Sequence, residues 1–331
     1  MPLDPQRFSK LAIKATPTLH YNNLTVGGGN LCFTHGNEVH LVSESAVAKG
    51  GSADSTQAGI KDSTHIYQVK FVTVAGTTYL VLGTASGFQI WDNMGVNIVF
   101  NFNLPGGGKV QGQESRPSFV RGVTTVKTSA GAELVCVGSC AGPIYCFELS
   151  GLSFRHTATL TEHVEPITDL CSELSGKQGD STSTNNKLVS TDESGKVIIW
   201  DAKSSSQLTR ANVIEGDGEP CVATVVRGNR LVCAYASGLL CFFDLNTATK
   251  WMEICAHSRY LSALAIHPTR DLIATTSEDT TINVWTLPEV GQKAEVVLSA
   301  IWADSMICGV VFSGDGVAAC AYDTNEIRLW S

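Results

Sequence analysis

The clearest pattern of apolar and polar positions in this chain lies between His257 and Trp285. Three apolar runs, 261–266, 272–276 and 281–285, alternate there with short polar breaks. The breaks hold Pro, Asp, Ser and Thr, which favour turns because they fix a backbone dihedral or hydrogen-bond to their own backbone. The third run also alternates apolar and polar residues with a period of two. The segment therefore predicts three antiparallel strands rather than a helix.

The same pattern recurs along the chain. Each copy ends its third strand on a large apolar residue, at Val42, Trp91, Phe147, Trp200, Phe243, Trp285 and Trp330. A repeat of roughly 42 to 56 residues with room for four strands is the signature of a propeller blade. Since one such sheet cannot bury both faces alone, seven copies predict an all-β protein, a seven-bladed β-propeller of four-stranded antiparallel blades. The blades are predicted at residues 19–60, 65–102, 119–158, 163–212, 219–254, 257–298 and 305–331.

The seventh copy has only three strands before the sequence stops. A ring of blades must close, because an open sheet edge leaves backbone groups unpaired. We therefore predict that the strand-like segment Leu11–Lys14 pairs on the outside of the seventh blade, which makes residues 1–331 one domain. Three segments of loop composition interrupt the pattern, at residues 44–64, 104–118 and 172–187. Their lengths predict functional or disordered loops.

Composition narrows the range of functions. Of the 331 residues only 16% are charged, and 31 acidic against 23 basic side chains give a net charge of −8. Binding to nucleic acid or to an anionic membrane surface needs clustered Lys and Arg, so neither is predicted as the main function. No apolar run approaches the length of a membrane span, which predicts that the chain does not insert into membranes.

The N-terminus and the eleven cysteines together indicate the compartment. The N-terminus lacks the apolar core of a secretory signal. Most of the cysteines lie inside predicted strands, including Cys136, Cys146, Cys233, Cys241, Cys308 and Cys320. Such positions predict reduced thiols that are buried as small apolar residues. We therefore expect a cytoplasmic protein.

Short motifs then point to a family. The Gly-His and Trp-Asp pattern of WD-repeat propellers resembles four stretches of this chain, namely Ala256-His257, Ser277-x-Asp279-x-Thr281, Trp91-Asp92 and Trp200-Asp201. In that family a His, a Ser or Thr, an Asp and a Trp hold a blade together by hydrogen bonds, because a buried indole N–H needs an acceptor. The resemblance implies a structural blade lock in the sixth blade formed by His257, Ser277, Asp279 and Trp285.

The other blades depart from this pattern. Where the sixth blade has Asp279, they carry Gly36, Ala85, Ala141, Ser194, Ser237 and Thr324. The fourth blade keeps a His at position 163, and Asp192 lies two residues before the expected place, where it could substitute. Most blades are therefore expected to be held by core packing alone.

The residues of the lock also have the composition of a His–Asp–Ser hydrolase triad. We favour the structural interpretation, because their positions match the blade-locking pattern. The spacing of Cys136, Cys140 and Cys146 fits no zinc motif, and alternation places two of them in the core. The sequence thus predicts no enzyme, no catalytic residue, no metal and no cofactor.

The family resemblance also implies a binding face, to which each blade contributes the residue just before its first strand. That ring is predicted to be His20, His65, Phe119, Pro166, Cys221, Tyr260 and Met306, with Arg259 and Glu278 beside Tyr260. A ring that is mostly apolar and aromatic suits an apolar or short peptide segment of a protein partner. The alternative is that these side chains only plug the mouth of the channel.

Longer strings resemble one seven-bladed member of the family, found in ciliated and animal lineages and without an enzymatic motif. They are Phe119–Val123, Leu134–Gly138, Pro166–Asp169, Ala256–Arg259, Ser277–Thr280 and Tyr322–Arg328. The resemblance implies a non-catalytic protein–protein interaction scaffold within a multiprotein complex, and an association with cilia. Two alternatives remain open: a propeller hydrolase, and a reader of phosphopeptides or nucleic acid that would use Arg259, Arg116 and Arg121.

Overall fold

The protein is described by a computed structural model that covers residues 3–49, 56–105, 119–173 and 186–331. Within these ranges it contains twenty-eight strands and one short helix. The first strand is β1 (Phe8–Ala12). Blade one contains β2 (Thr25–Gly27), β3 (Asn30–His35), β4 (Glu38–Ser43), the helix α1 (Glu44–Lys49) and β5 (Thr56–Lys61). Blade two contains β6 (Ile66–Val74), β7 (Thr77–Thr84), β8 (Gly87–Asp92) and β9 (Ile98–Asn103).

The remaining blades follow in chain order. Blade three contains β10 (Val120–Lys127), β11 (Glu133–Ser139), β12 (Ile144–Ser150) and β13 (Ser153–Leu160). Blade four contains β14 (Ile167–Ser172), β15 (Lys187–Asp192), β16 (Val197–Ser204) and β17 (Gln207–Ile214). Blade five contains β18 (Cys221–Arg227), β19 (Arg230–Tyr235), β20 (Leu239–Asp244) and β21 (Lys250–Cys255). Blade six contains β22 (Leu261–Ile266), β23 (Leu272–Ser277), β24 (Thr281–Thr286) and β25 (Val296–Ile301), and blade seven contains β26 (Ile307–Ser313), β27 (Gly316–Ala321) and β28 (Glu326–Trp330).

Each blade is a four-stranded antiparallel sheet. In blades one to six the strands pair in sequence order, whereas blade seven has the order β1-β28-β27-β26. The large residues from which the repeat was read all lie in the third strand of their blades. The prediction of a seven-bladed propeller closed by an N-terminal strand is thereby confirmed.

The closing strand lies three residues earlier than predicted. It pairs Phe8 with Trp330 and Ala12 with Glu326, so the predicted segment Leu11–Lys14 overlaps it by only two residues. The prediction rested on the alternation of apolar residues around Leu11, but the aromatic contacts at the other end of the strand fix its position. Phe8 packs on Trp330 with ring centroids 5.5 Å apart, and the guanidinium of Arg328 lies 4.7 Å from the Phe8 ring centroid.

The core consists of apolar clusters between neighbouring blades. Among the described residues there are seven such clusters, one for each contact between successive blades around the ring. The cluster between blades seven and one includes Leu11 of β1 and Val47 of α1, which are both fully buried. The helix, which the sequence did not predict, therefore covers the place where the ring closes.

The first strand of blades two to seven carries a β-bulge near its start. The register shifts lie at Ile66/Gln68, Val120/Val123, Ile167/Asp169, Cys221/Ala223, Leu261/Ala263 and Ile307/Gly309. A bulge bends its strand and leaves a backbone group unpaired. Side chains of other blades accept N–H groups here: Gly122, inside the bulge of β10, donates to Gln68 Oε1 at 2.8 Å, and Thr224, just after the bulge of β18, donates to Asp169 Oδ2 at 2.8 Å.

The segment 20–23 crosses the mouth of the central channel. The side-chain amide nitrogen of Asn22 in blade one donates to the carbonyl of Val222 in blade five at 3.1 Å. Its side-chain oxygen, Oδ1, accepts from the N–H of Leu264 in blade six at 3.2 Å. Blade one adjoins only blades two and seven, so these bonds span the centre of the ring. Asn22 adopts a left-handed backbone with φ of 55°, which Asn tolerates better than most residues. The sequence predicts a first blade from residue 19, but the first strand of that blade, β2, begins at Thr25, after this crossing.

The structure describes parts of the three predicted loops. Segment 44–64 contains α1 and β5, while residues 106–118 and 174–185 of the other two loops lie outside the described residues. The structure therefore says nothing of Arg116. All eleven cysteines are unbonded, and the six that were predicted inside strands are buried.

Candidate functional site

The lock of blade six is a closed set of hydrogen bonds. His257 Nδ1 lies 3.1 Å from Asp279 Oδ2, and His257 Nε2 lies 2.8 Å from Thr275 Oγ1. The same hydroxyl accepts the indole N–H of Trp285 at 3.0 Å. Burial lowers the pKa of His257, although the charge of Asp279 opposes the shift. Burial also favours the neutral form of Asp279, but hydrogen bonds from Thr281 and Ser258 leave its pKa below the usual value.

The prediction of Ser277 as the hydroxyl of this lock was wrong. Trp285 is paired with Ile273 across the sheet, so its diagonal neighbour on the same face is Thr275, two residues further along β23. Ser277 is two residues further still, and its hydroxyl instead accepts the backbone N–H of Asp279 at 3.0 Å.

Blade four contains a second lock with the acidic residue in a different place. His163 Nδ1 lies 2.6 Å from Asp192 Oδ2, and His163 Nε2 lies 2.7 Å from Ser190 Oγ. Trp200 donates to the same Ser190 hydroxyl at 2.9 Å. Asp192 also accepts from the N–H and hydroxyl of Ser194. Burial alone would raise the pKa of Asp192, but the hydrogen bonds from His163 and Ser194 lower it overall.

These locks are inside the sheets. The side chains of His163 and His257 are each 0% exposed, and both hydroxyls are already bonded to a Trp and a His. A hydrolase triad needs a hydroxyl that a substrate can reach. The geometry of both sets therefore fits a blade lock rather than a hydrolase triad.

The predicted ring lies at one end of the channel, with one exception. In five blades the carbonyl of the predicted residue accepts a backbone N–H from the turn after the second strand: His65, Phe119, Pro166, Tyr260 and Met306. In blade five this position is held by Pro220, whose carbonyl accepts from Ala236 at 2.9 Å. The prediction of Cys221 was wrong because Cys221 is already the first paired residue of β18 and is fully buried.

Six rings lie on this rim in two contacting groups, which together we call the aromatic arc: His20, Tyr21, His65, Tyr67, Phe119 and Tyr260. His20 Nε2 and His65 Nε2 are 2.8 Å apart. The ring of Tyr67 lies 5.0 Å from that of His65 and stacks on Phe119 at 4.9 Å. Tyr21, the sequence neighbour of His20, stacks on Tyr260 at 5.9 Å. The arc thus runs from blade three through blades two and one to blade six.

The sequence prediction missed Tyr21 and Tyr67. Tyr67 lies two residues after His65, so the period of two along a strand could have identified it. No comparable signal existed for Tyr21, because it reaches the arc through the crossing segment rather than through a blade. Glu278 lies beside Tyr260, because its N–H donates to the carbonyl of Tyr260 at 3.0 Å, and Arg259 precedes Tyr260 in the chain.

The charge at the arc is low. Burial lowers the pKa of His20 to about 4, and the nearby charges of Arg121 and His65 act in the same direction. His20 is therefore neutral at pH 7. Burial raises the pKa of Tyr21. Arg121 places a cation within this neutral surface, with its guanidinium 5.6 Å from the Phe119 ring centroid.

Below the arc the channel holds a cavity of about 220 Å³. First strands of all seven blades contribute to its lining, and its polar groups include Asn22, Gln68, Thr124 and Thr224. Lys70 Nζ of blade two lies 3.9 Å from Asp169 Oδ1 of blade four. Burial raises the pKa of Asp169, while Lys70 opposes the shift. Within the described ranges, no group of three or more His, Cys, Asp or Glu side chains is arranged to hold a metal ion.

The described residues also include no helix that is long and apolar enough to cross a membrane.

Comparison with known proteins agrees with this architecture. The WDR54 family model matches residues 18–331. WD repeat-containing protein 54 of Mus musculus is 27% identical over 308 residues, which cover 88% of this chain and 87% of that protein. The protein of the same name from Homo sapiens is 27% identical over 275 residues, covering 80% of this chain and 78% of that protein. This is the seven-bladed member that the longer sequence strings resembled.

A solved structure shares the fold. A chain from the crystal structure of the mitotic checkpoint complex superimposes with a TM-score of 0.74, covering 100% of this chain and 94% of that chain. The two sequences are 15% identical, so the likeness concerns the fold alone.

Proposed function

The chain belongs to the WDR54 family, and from this membership we propose that it is a scaffold that binds a protein partner through the aromatic arc. WD-repeat propellers are generally protein-interaction scaffolds. One observation supports the location: six aromatic or imidazole rings lie together at one mouth of the channel, and Tyr260 among them is 42% exposed. Aromatic side chains of this kind dominate the binding energy of protein interfaces.

The remaining positions of the same rim, on blades four, five and seven, differ from the arc. There the equivalent positions are Pro166, Pro220 and Met306, and the bulge residues beside them are the small, buried Thr168, Val222 and Cys308. Tyr322 of blade seven is 43% exposed and donates its N–H to the carbonyl of Met306, but no described ring contact joins it to another ring. Exposed rings that stack on one another therefore lie in the arc. The arc offers a partner rigid apolar surface, because rings lose little conformational entropy when they are covered. A short extended or apolar peptide segment suits the arc.

Quantitative affinity purification from the native cell tests the proposal. Tyr260→Ala combined with Phe119→Ala removes both ends of the arc, and it should abolish recovery of proteins that the wild-type chain retains. The matched control is Tyr79→Ala, which removes a half-buried tyrosine near the other end of blade two, where it contacts Phe154. Equal recovery by the rim pair and the wild type, with unchanged melting temperature, would contradict the proposal.

We also propose that the ring is a single domain in the cytoplasm with an association with cilia, the last resting on the resemblance alone. Every blade shares an apolar cluster with both neighbours, which supports cooperative unfolding as one unit. Eleven unbonded cysteines suit a reducing compartment. A single calorimetric transition and imaging of the tagged chain in ciliated cells test these points.

A further inference from the structure

Arg121 occupies an unusual position at the mouth of the channel. It lies in the bulge of β10, two residues after Phe119, and the N–H of the following Gly122 is held by Gln68. This places its partly buried side chain beside the aromatic arc rather than on the outside of the propeller. Its positive charge acts to lower the pKa of both His20 and Tyr21 in the crossing segment. Groups on blades two, three and four and on the crossing segment thus act on a single guanidinium.

The guanidinium has no hydrogen bond or ion pair within residues 3–49, 56–105, 119–173 and 186–331. Its closest described contact is the face of Phe119. The carboxylates that influence it electrostatically are Glu193 and Asp169, and neither lies within ion-pair distance. Asp169 is buried and is already bonded to the backbone of Thr224 and paired with Lys70. Arg121 therefore retains five N–H donors, fixed in a planar fork, that nothing in the described chain uses.

A cation in this setting favours one kind of ligand. Arginine stays protonated even when it is partly buried, and a desolvated charge without a partner is costly. A carboxylate matches the fork with two parallel hydrogen bonds. His20 is neutral at pH 7 and Phe119 carries no charge, while Glu193 and Glu278 lie on the same rim. One positive charge among neutral rings, with carboxylates at the edge, suits a single monoanion better than a phosphate dianion.

We propose that Arg121 receives an Asp or Glu side chain from the partner segment, while apolar residues of that segment lie on Tyr67, Phe119 and Tyr260. This inference rests on the proposed function and assigns the chemistry of its partner. The acidic side chain fixes the register of the segment over the channel, because a bidentate pair is directional, whereas contacts with the rings are not.

The test uses a random 12-residue peptide library displayed on phage, selected on the full-length chain. Peptides enriched on the wild type should carry Asp or Glu at a fixed distance from an aromatic or large apolar residue. Synthetic versions with amidated C-termini should bind Arg121→Met at least roughly 30-fold more weakly than the wild type. Arg155→Met, which changes a mostly exposed arginine on the outer strand of the same blade, is the matched control and should bind the peptides like the wild type.

The peptide offers a second route that leaves the protein unchanged. Replacing its acidic residue by Gln should weaken binding to the wild type by a similar factor, and it should change binding to Arg121→Met little. Arg121→Lys should restore only part of the loss, because an ammonium lacks the planar fork.

The outcomes separate this inference from the proposed function. If enriched peptides lose binding to the Tyr260→Ala, Phe119→Ala pair but show no acidic preference, the arc binds peptides and the role of Arg121 is refuted. If no peptide is enriched over an unrelated control protein, both ideas fail. A phosphoserine version that binds more than about tenfold tighter than the Glu peptide would replace the carboxylate by a phosphate, because a dianion gains more from arginine.

Discussion

In blade four, His163 lies between Asp192 and Ser190 at 2.6 and 2.7 Å, and water reaches neither the His nor the Asp. At the channel mouth, His20 meets His65 at 2.8 Å beside rings that remain partly exposed. Both regions combine His with aromatic side chains, but His163 and Trp200 of the lock find all their partners inside it, whereas the arc leaves ring surface exposed. The number of hydrogen-bonding groups that already have partners, together with burial, therefore distinguishes a stabilising cluster from a surface that can bind a partner.

The largest expected effect on stability lies in the lock of blade four. Asp192→Ala removes an acceptor that serves His163, the Ser194 N–H and hydroxyl, and the Lys196 N–H. Removing one partner of a buried pair leaves the other without its hydrogen bond. The free energy of unfolding should therefore fall by about 3–5 kcal/mol. Urea denaturation measures the change.

The control for this substitution is Asp201→Ala in the same blade. Asp201 pairs with Lys187 at 2.8 Å, but its side chain is 45% exposed. Its loss should cost at most about 1 kcal/mol. Equal effects of the two substitutions would show that the lock does not stabilise blade four.

The second prediction tests which hydroxyl belongs to the lock of blade six. Thr275→Val keeps the shape of the side chain but leaves His257 Nε2 and the Trp285 indole without their shared partner. Unsatisfied buried groups should cost about 1–3 kcal/mol. Ser277→Ala removes a single acceptor from the Asp279 N–H and should cost less. The reverse order in thermal or urea denaturation would restore Ser277 to the lock.

The lock of blade six shows how much of the structure the sequence could predict. The period of the large third-strand residues predicted the ring, the blade number and the closing strand, because core packing repeats with every blade. The hydroxyl of the lock depends on cross-strand register, which is set by pairing with Trp285 and not by spacing from Asp279. Pattern alone therefore placed it two residues too late.

The rim was harder to predict for a related reason. A ring position must be counted from the first paired residue of each blade, and in blade five that residue is Cys221 itself, so the sequence register was one residue off. Tyr21 and His20 reach the arc because segment 20–23 leaves the sheet and crosses the channel mouth. The repeat pattern contains no information on such a crossing.

The third prediction separates the two regions by pH. The pKa of His20 falls from 6.5 to about 4 in the folded chain, so the unfolded chain binds a proton at a higher pH. Its contribution to stability is complete above pH 6.5 and is lost as the pH falls towards 4. The carboxylate of Asp192, whose pKa is lowered, loses its contribution only below its ordinary value of 3.8.

His20→Gln should therefore flatten the fall in stability between pH 6.5 and 4, measured by urea denaturation at each pH. The slope should not vanish, because burial also lowers the pKa of His40, His257 and His267. An unchanged slope would mean that the pKa of His20 is the same in the folded and unfolded chains, which would contradict the lowered value.

The smallest effect on stability is expected at the exposed end of the arc. Tyr260 is 42% exposed and makes one described ring contact, the stack on Tyr21 at 5.9 Å. Such a stack contributes about 0.5–1.5 kcal/mol beyond burial. Tyr260→Ala should therefore shift the melting temperature by no more than about 3 °C. Tyr21→Ala should cost more, because Tyr21 is also packed against the core between blades five and six. The double variant should be less destabilised than the sum of the two, by the energy of the stack. If Tyr260→Ala unfolds the chain as readily as Asp192→Ala does, the arc is part of the core, and the contrast between a satisfied lock and an open binding surface is lost.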